Sequence, residues 1–297
     1  MSKEKYNSSN RMKVRFEKML QRNFDGASLA EVKRAIEFSL GPVPHINWPM
    51  NDSWAVIRAR SIDETKEDIT NPNTFGSPPP IETSQGRANL VNYPVFYGTF
   101  DSRTAMHEIG VPLGTECYVS VWEFSKNTPH VTVFLDNADA RNDLFAIKDG
   151  LPSGLPKGLK GGYTEKSLRV ALELRAGAFL SENYSLTSKI AHDIIYNNSA
   201  SSAGLVYPSV VDPYRCNIAF NPEFVEENMR CVRVYKMVWS GAFLFRILAR
   251  GKIETGIVDW QDTGSYESDE IDNKYSGSNG PLEIHPSALK VLNDRYS

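Results

Sequence analysis

A chain of 297 residues is long enough for one large domain or two small ones, with a sizeable core in either case. Its 41% hydrophobic and 23% charged residues are those of an ordinary globular protein. A net charge of −3 and a pI near 6.0 argue against a dedicated nucleic-acid binder, which carries a basic footprint.

No run approaches the roughly 18 apolar residues that a membrane helix needs. The opening "MSKEKYNSSNRMKVRF" is polar and lacks the apolar stretch of a secretory leader, so a cytoplasmic location is expected. Cys117, Cys216 and Cys231 are scattered without CxxC spacing, an odd and sparse count that fits a reducing compartment. His45, His107, His130, His192 and His285 also lack ligand spacing, so no metal site is expected.

Residues 11 to 40 predict two helices, the second, "SLAEVKRAIEFSL", opened by a Ser28/Glu31 capping box. "GPVPHINWP" breaks the helical pattern and marks the boundary of the main domain. A short strand follows over Trp54 to Arg60. Residues 63 to 89 are polar and rich in Pro, Asn and Ser, too long for a passive connection and so expected to be a functional loop. "PVFYGTF" predicts a strand, "DS" a cap and "RTAMHEIG" a short helix, and "CYVSVWEF" and "HVTVFLD" are alternating strands. "GLPSGLPKGLKGG" has neither GK[ST] nor a GxGxxG after a strand, so a mobile loop is expected in place of a phosphate cradle.

Helices are expected over residues 165 to 197, then buried strands "GLVYPSV" and "CNIAF" around a turn. "CVRVYKMVWSGAFLFRILARGKIE" predicts a hairpin turning at "SG". From about residue 261 the chain is acidic and Gly/Ser-rich and is expected to be loosely ordered until "HPSALKVL". There is no internal repeat. Helices, then strands mixed with helices without βαβ regularity, indicate an α+β fold.

Candidate chemistry lies at Arg58 in "VIRAR", Arg87 in "GRAN", the Tyr97/Glu108 pair and Ser209 in "GLVYPS". Each has an ordinary structural reading: a salt-bridged strand Arg, an exposed helical Glu, a core Tyr with its hydroxyl at the edge, a turn Ser. Their order is more informative. "FGSPPP…GRANLVNYPVFYGTFDSRTAMHE", then "FLSENYSLTSKIA", then "GLVYPSVVDPYRCNIAFNPE" resembles the RES domain, named for its Arg, Glu and Ser. That family has an early strand Arg, a "GRxN…YxA…TAxxE" block and a "G(I/L)xYPS" turn before an "N…F" strand. These elements fall on Arg58, on Gly86 to Asn89 with Tyr97, Thr104, Ala105 and Glu108, and on Gly204, Tyr207 to Ser209, Asn217 and Phe220. Arg60 rivals Arg58, and Gly98 and Phe100 stand where the family favours small apolar residues.

The resemblance implies an ADP-ribosyltransferase-like mixed β-sheet core flanked by helices. Residues 1–45 would be an N-terminal helical extension, 46–260 the catalytic domain and 261–297 an acidic tail. It implies cleavage of the nicotinamide–ribose bond of NAD, by hydrolysis or phosphorolysis, with NAD as substrate and no cofactor. Such proteins are toxins neutralised by a small Xre-type helix-turn-helix antitoxin, with no membrane or direct nucleic-acid partner. A protein ADP-ribosyltransferase, or a non-catalytic NAD- or partner-binding module, are the alternatives. Glu108 would hold the ribose hydroxyls and the developing positive charge. Arg58, or Arg60 in its place, would grip the pyrophosphate together with Arg87, since a guanidinium fork suits it. Tyr97 would stack on nicotinamide and Ser209 orient it, with Asn89 and Tyr207 completing the set. Ser209 has no base partner in sequence, so no nucleophilic triad is expected. His107 points away from Glu108 on a helix and is read as structural.

Overall fold

The computed structural model describes residues 3–41, 47–50, 54–125, 129–134, 165–197, 202–212, 215–241 and 244–267. The Gly/Pro/Lys loop at 150–162 and the tail beyond 267 lie outside these residues. The described chain is α+β and falls into two compact units, each assembled from separated segments.

Unit 1 comprises residues 1–48, 79–94 and 130–208. It contains α1 (Lys3–Leu20) and α2 (Leu29–Leu40), with the boundary falling inside the short strand β1 (Asn47–Pro49). α2 opens with the predicted capping box: Ser28 Oγ accepts from Glu31 N, and the Glu31 carboxylate accepts from Ser28 N at 2.8 Å. α1 begins at Lys3, earlier than the apolar pattern suggested. Further along the chain come β5 (His130–Val133), α4 (Glu165–Leu180), α5 (Tyr184–Ile195) and β6 (Gly204–Pro208). β5 and β6 pair in parallel, and α4 and α5 pack on β6. The N-terminal helices join this unit through α1–α4 and α2–α5 packing. Asn183 Nδ2 donates to Leu20 O at 2.7 Å, and the buried Lys189 Nζ donates to Phe24 O at 2.7 Å.

Unit 2 comprises residues 49–78, 95–129 and 209–297. Its strands are β2 (Val56–Arg60), β3 (Phe96–Thr99), β4 (Glu116–Phe124), β7 (Cys216–Phe220), β8 (Met229–Gly241), β9 (Leu244–Glu254) and β10 (Ile257–Glu267). They lie in the order β7-β3-β2-β4-β8-β9-β10, and the recorded pairings are antiparallel. The short helices α3 (Ser102–Glu108) and α6 (Pro222–Asn228) complete the unit. Alternation along β2 sends Ile57 and Ala59 into a core with Ala105 and Met106 of α3, Val119 and Val121 of β4, and Met237 and Ile247. That burial fixes α3 on one face of the sheet.

Two features depart from expectation. Residues 261–267, expected to be loose, belong to β10, which pairs with β9. The turn between them has Thr255 at φ 50° and Gly256 at φ 82°, the positive values a two-residue hairpin turn requires. α6 was not anticipated, although Asn221 caps it and Pro222 opens it.

Candidate active site

Unit 2 builds the site from α3, β7 and the segment beginning at Ser209. α3 starts abruptly after β3 because Asp101 caps it, its carboxylate accepting from Thr104 N at 2.8 Å. Thr99 Oγ1 donates to Asp101 O at 2.6 Å and holds the strand–helix corner. Two turns later the helix ends on the half-buried Glu108. β3 pairs with β7, Thr99 opposite Asn217 and Tyr97 opposite Ala219, so these four residues share a face. Ile57 pairs with Thr99, which makes this the face that α3 covers.

Three residues distant in sequence meet there. Ser209 Oγ donates to Glu108 Oε1 at 2.6 Å, and Asn217 Nδ2 donates to the same oxygen at 2.6 Å. Ser209 is fully buried, and its oxygen also accepts from Val211 N at 3.2 Å and Asp212 N at 3.0 Å. One donor and two acceptor positions exhaust a hydroxyl. Ser209 therefore serves the carboxylate, whereas the sequence assigned its hydroxyl to the substrate. Glu108 Oε2 has no partner among the described residues and is the oxygen left to a ligand.

Arg58 is buried and sits between Ile57 and Ala59, so it leaves the sheet on the face opposite α3. Its Nε donates to Gly76 O at 3.1 Å and its Nη1 to Tyr97 O at 2.9 Å, with the guanidinium 5.3 Å above the Phe96 ring. Burial, helped by the like charge of Arg60, pushes its pKa down to about 9, which still leaves a cation at neutral pH. Arg58 is thus joined to the backbone of Tyr97 and not to Glu108. Gly98 is fitted to this corner: a Cβ there would lie 2.3 Å from Val56 Cγ1. Arg60 is separately engaged, pairing with Glu67 at 3.0 Å and donating to Thr74 O. Its charge is answered by a carboxylate, and that of Arg58 by carbonyls and a ring.

The remaining predicted residues lie in unit 1. Arg87 donates through Nη1 to Phe179 O and, at 2.7 Å, to Ser181 O, and stacks 4.8 Å over Tyr184. It caps the C-terminal carbonyls of α4, where a cation is favoured. Asn89 is buried and donates to Ser84 O at 2.7 Å and Leu90 O at 3.0 Å, closing its own loop. Tyr207 is buried against Phe179 at 5.0 Å. In unit 2, His107 meets Trp239 and Phe245 edge-on, and burial lowers its pKa, which favours the neutral imidazole. A cavity of about 290 Å³ within unit 1, walled by residues such as Phe16, Val32 and Ile190, contains none of the predicted site residues.

The described residues contain no His/Cys/Asp/Glu cluster fit for a metal and no helix long and apolar enough to cross a membrane. A family profile described as the RES domain matches residues 56–240. The chain belongs to the RES-domain family. A search of curated proteins gives no match. The match includes Arg58, Tyr97, Glu108, Ser209 and Asn217 and leaves out α1, α2, β1, β9 and β10. Asn217 is the functional candidate that sequence reasoning left without a role. The resemblance had set it in the "N…F" strand, and only the contact with Glu108 gives it one.

Proposed function

We propose that this RES-domain protein cleaves the nicotinamide–ribose bond of NAD and acts as a toxin. The observation that supports this reading is the clamp on Glu108: two donors on Oε1 orient the carboxylate and leave Oε2 for the sugar. As the C1′–N bond breaks, its electron pair leaves with nicotinamide, which departs neutral. The positive charge passes to C1′ and the ring oxygen, where a preoriented carboxylate stabilises it most. Water then forms the new C1′–O bond and releases one proton, giving ADP-ribose. Inorganic phosphate in the same position gives the ADP-ribose 1-phosphate ester. Glu108 is the catalytic residue of this proposal and Ser209 its positioning residue. Tyr97, on the same sheet face as Asn217, offers its ring to nicotinamide. Arg58, on the opposite face of the sheet, fixes the strand of Tyr97 through its carbonyl and is a positioning residue, not the grip on the pyrophosphate that the resemblance implied.

An enzyme that drains NAD in the cytoplasm must be restrained, so the expected partner is a small Xre-type helix-turn-helix antitoxin. The test is chromatography of NAD incubated with the pure protein, with and without phosphate. Nicotinamide appearing with ADP-ribose or its phosphate ester is the expected result. Intact NAD at micromolar protein under both conditions overturns the catalytic reading. Toxicity on expression, relieved by a co-expressed neighbouring gene, tests the partner.

A further inference from the structure

We infer that Asn217 reads the substrate directly, through an amide oxygen held ready for a hydrogen-bond donor on the nicotinamide riboside half of NAD; this rests on the NAD reading above. The orientation of the amide is chemically determined. Glu108 Oε1 lies 2.6 Å from one end of the Asn217 amide, and a carboxylate oxygen only accepts, so that end is the NH₂ group. The carbonyl Oδ1 is then turned away from Glu108. It is buried, and no described residue donates to it. Asn217 as a whole is 6% exposed. A buried acceptor without a donor is costly, and native structures seldom keep one unless something else serves it.

The ladder explains why the residue is held so firmly. Asn217 is the second residue of β7 and pairs with Thr99, which fixes its backbone, and the bond to Glu108 holds its side chain. Its amide has one end on the catalytic carboxylate and the other free. Glu108 Oε2 is also free among the described residues. The clamp therefore offers two acceptors, Glu108 Oε2 and Asn217 Oδ1, to a ligand, which matches a group bearing O–H or N–H. In the NAD half that reacts, three groups have this chemistry: the ribose 2′-hydroxyl, the ribose 3′-hydroxyl and the carboxamide N–H.

The test compares NAD with three analogues, one lacking the 2′-hydroxyl of the nicotinamide ribose, one lacking its 3′-hydroxyl and one carrying an acetyl group in place of the carboxamide. Each is measured as kcat/KM with wild-type protein, Asn217→Ala and Asn217→Ser, and folding is followed by thermal melting. Wild type is expected to prefer NAD over the analogue without the relevant donor by about ten- to a hundredfold. In the Asn217 variants that preference collapses, because the same donor no longer has its acceptor. The analogue that loses its disadvantage identifies the group. A residue that only positioned Glu108 would slow NAD and all three analogues by one factor and leave the ratios unchanged. That result, with wild type still cleaving NAD, overturns the inference alone. Wild-type protein that neither binds nor cleaves NAD overturns this inference and the proposed activity together. Asn217→Ser supplies the comparison if Asn217→Ala does not fold.

Discussion

Replacing Ser209 by Ala asks whether its hydroxyl serves Glu108 or attacks the substrate. The structure sets the size of the effect. The substitution removes a 2.6 Å hydrogen bond to a carboxylate, and such bonds contribute about 1.5–3 kcal/mol. If that energy serves to orient Glu108 for the transition state, turnover falls about ten- to a hundredfold. The substitution also strands Val211 N and Asp212 N, which donate to Ser209 Oγ, so stability should fall by about 2–4 kcal/mol. Turnover is read from nicotinamide release at saturating NAD, and stability from urea denaturation. The deciding variant is the double one. If Ser209 acts only through Glu108, then Ser209→Ala combined with Glu108→Gln is no slower than Glu108→Gln alone. Rate losses that multiply fully, or a glycosyl adduct trapped on Ser209, would refute the positioning role.

Glu108→Gln should lower turnover about a hundred- to a thousandfold. Its amide oxygen can still accept from Ser209 and Asn217, so unfolding free energy should change by no more than about 1 kcal/mol; both are measured on one preparation. Arg87→Ala should act on stability, costing about 1–3 kcal/mol in urea denaturation as the α4 carbonyls lose their cap. Acidification should expose the buried His107. Burial lowers its folded pKa below the ordinary 6.5, so as pH falls through 6.5 the unfolded chain takes up the proton first. Stability should be insensitive to this group above pH 6.5 and decline below it, with His192 adding in the same direction. His107→Phe, which keeps the ring contacts, should flatten the melting temperature between pH 6.5 and 5.5; an unchanged slope would show that other groups cause it.

Local chemistry was legible in the sequence. The Ser28/Glu31 capping box, the Asp101 cap and the strand β4 each depend on residues a few positions apart, and each formed where predicted, although β4 is buried on both faces and does not alternate with solvent. The order of Arg, Tyr, Glu and Ser also sufficed to point to the family. The roles of those residues were not legible, because they depend on contacts across 101 and 109 positions of chain that no local pattern encodes. Tertiary packing decided that the Ser209 proton points at Glu108, that Asn217 shares the same carboxylate oxygen, and that Arg87 caps a helix end. It also separated Arg58 from Arg60, by placing Glu67 within 3.0 Å of the latter. A side chain's chemistry is set by its type, and its task by whichever donor, acceptor or charge the folded chain brings within about 3 Å.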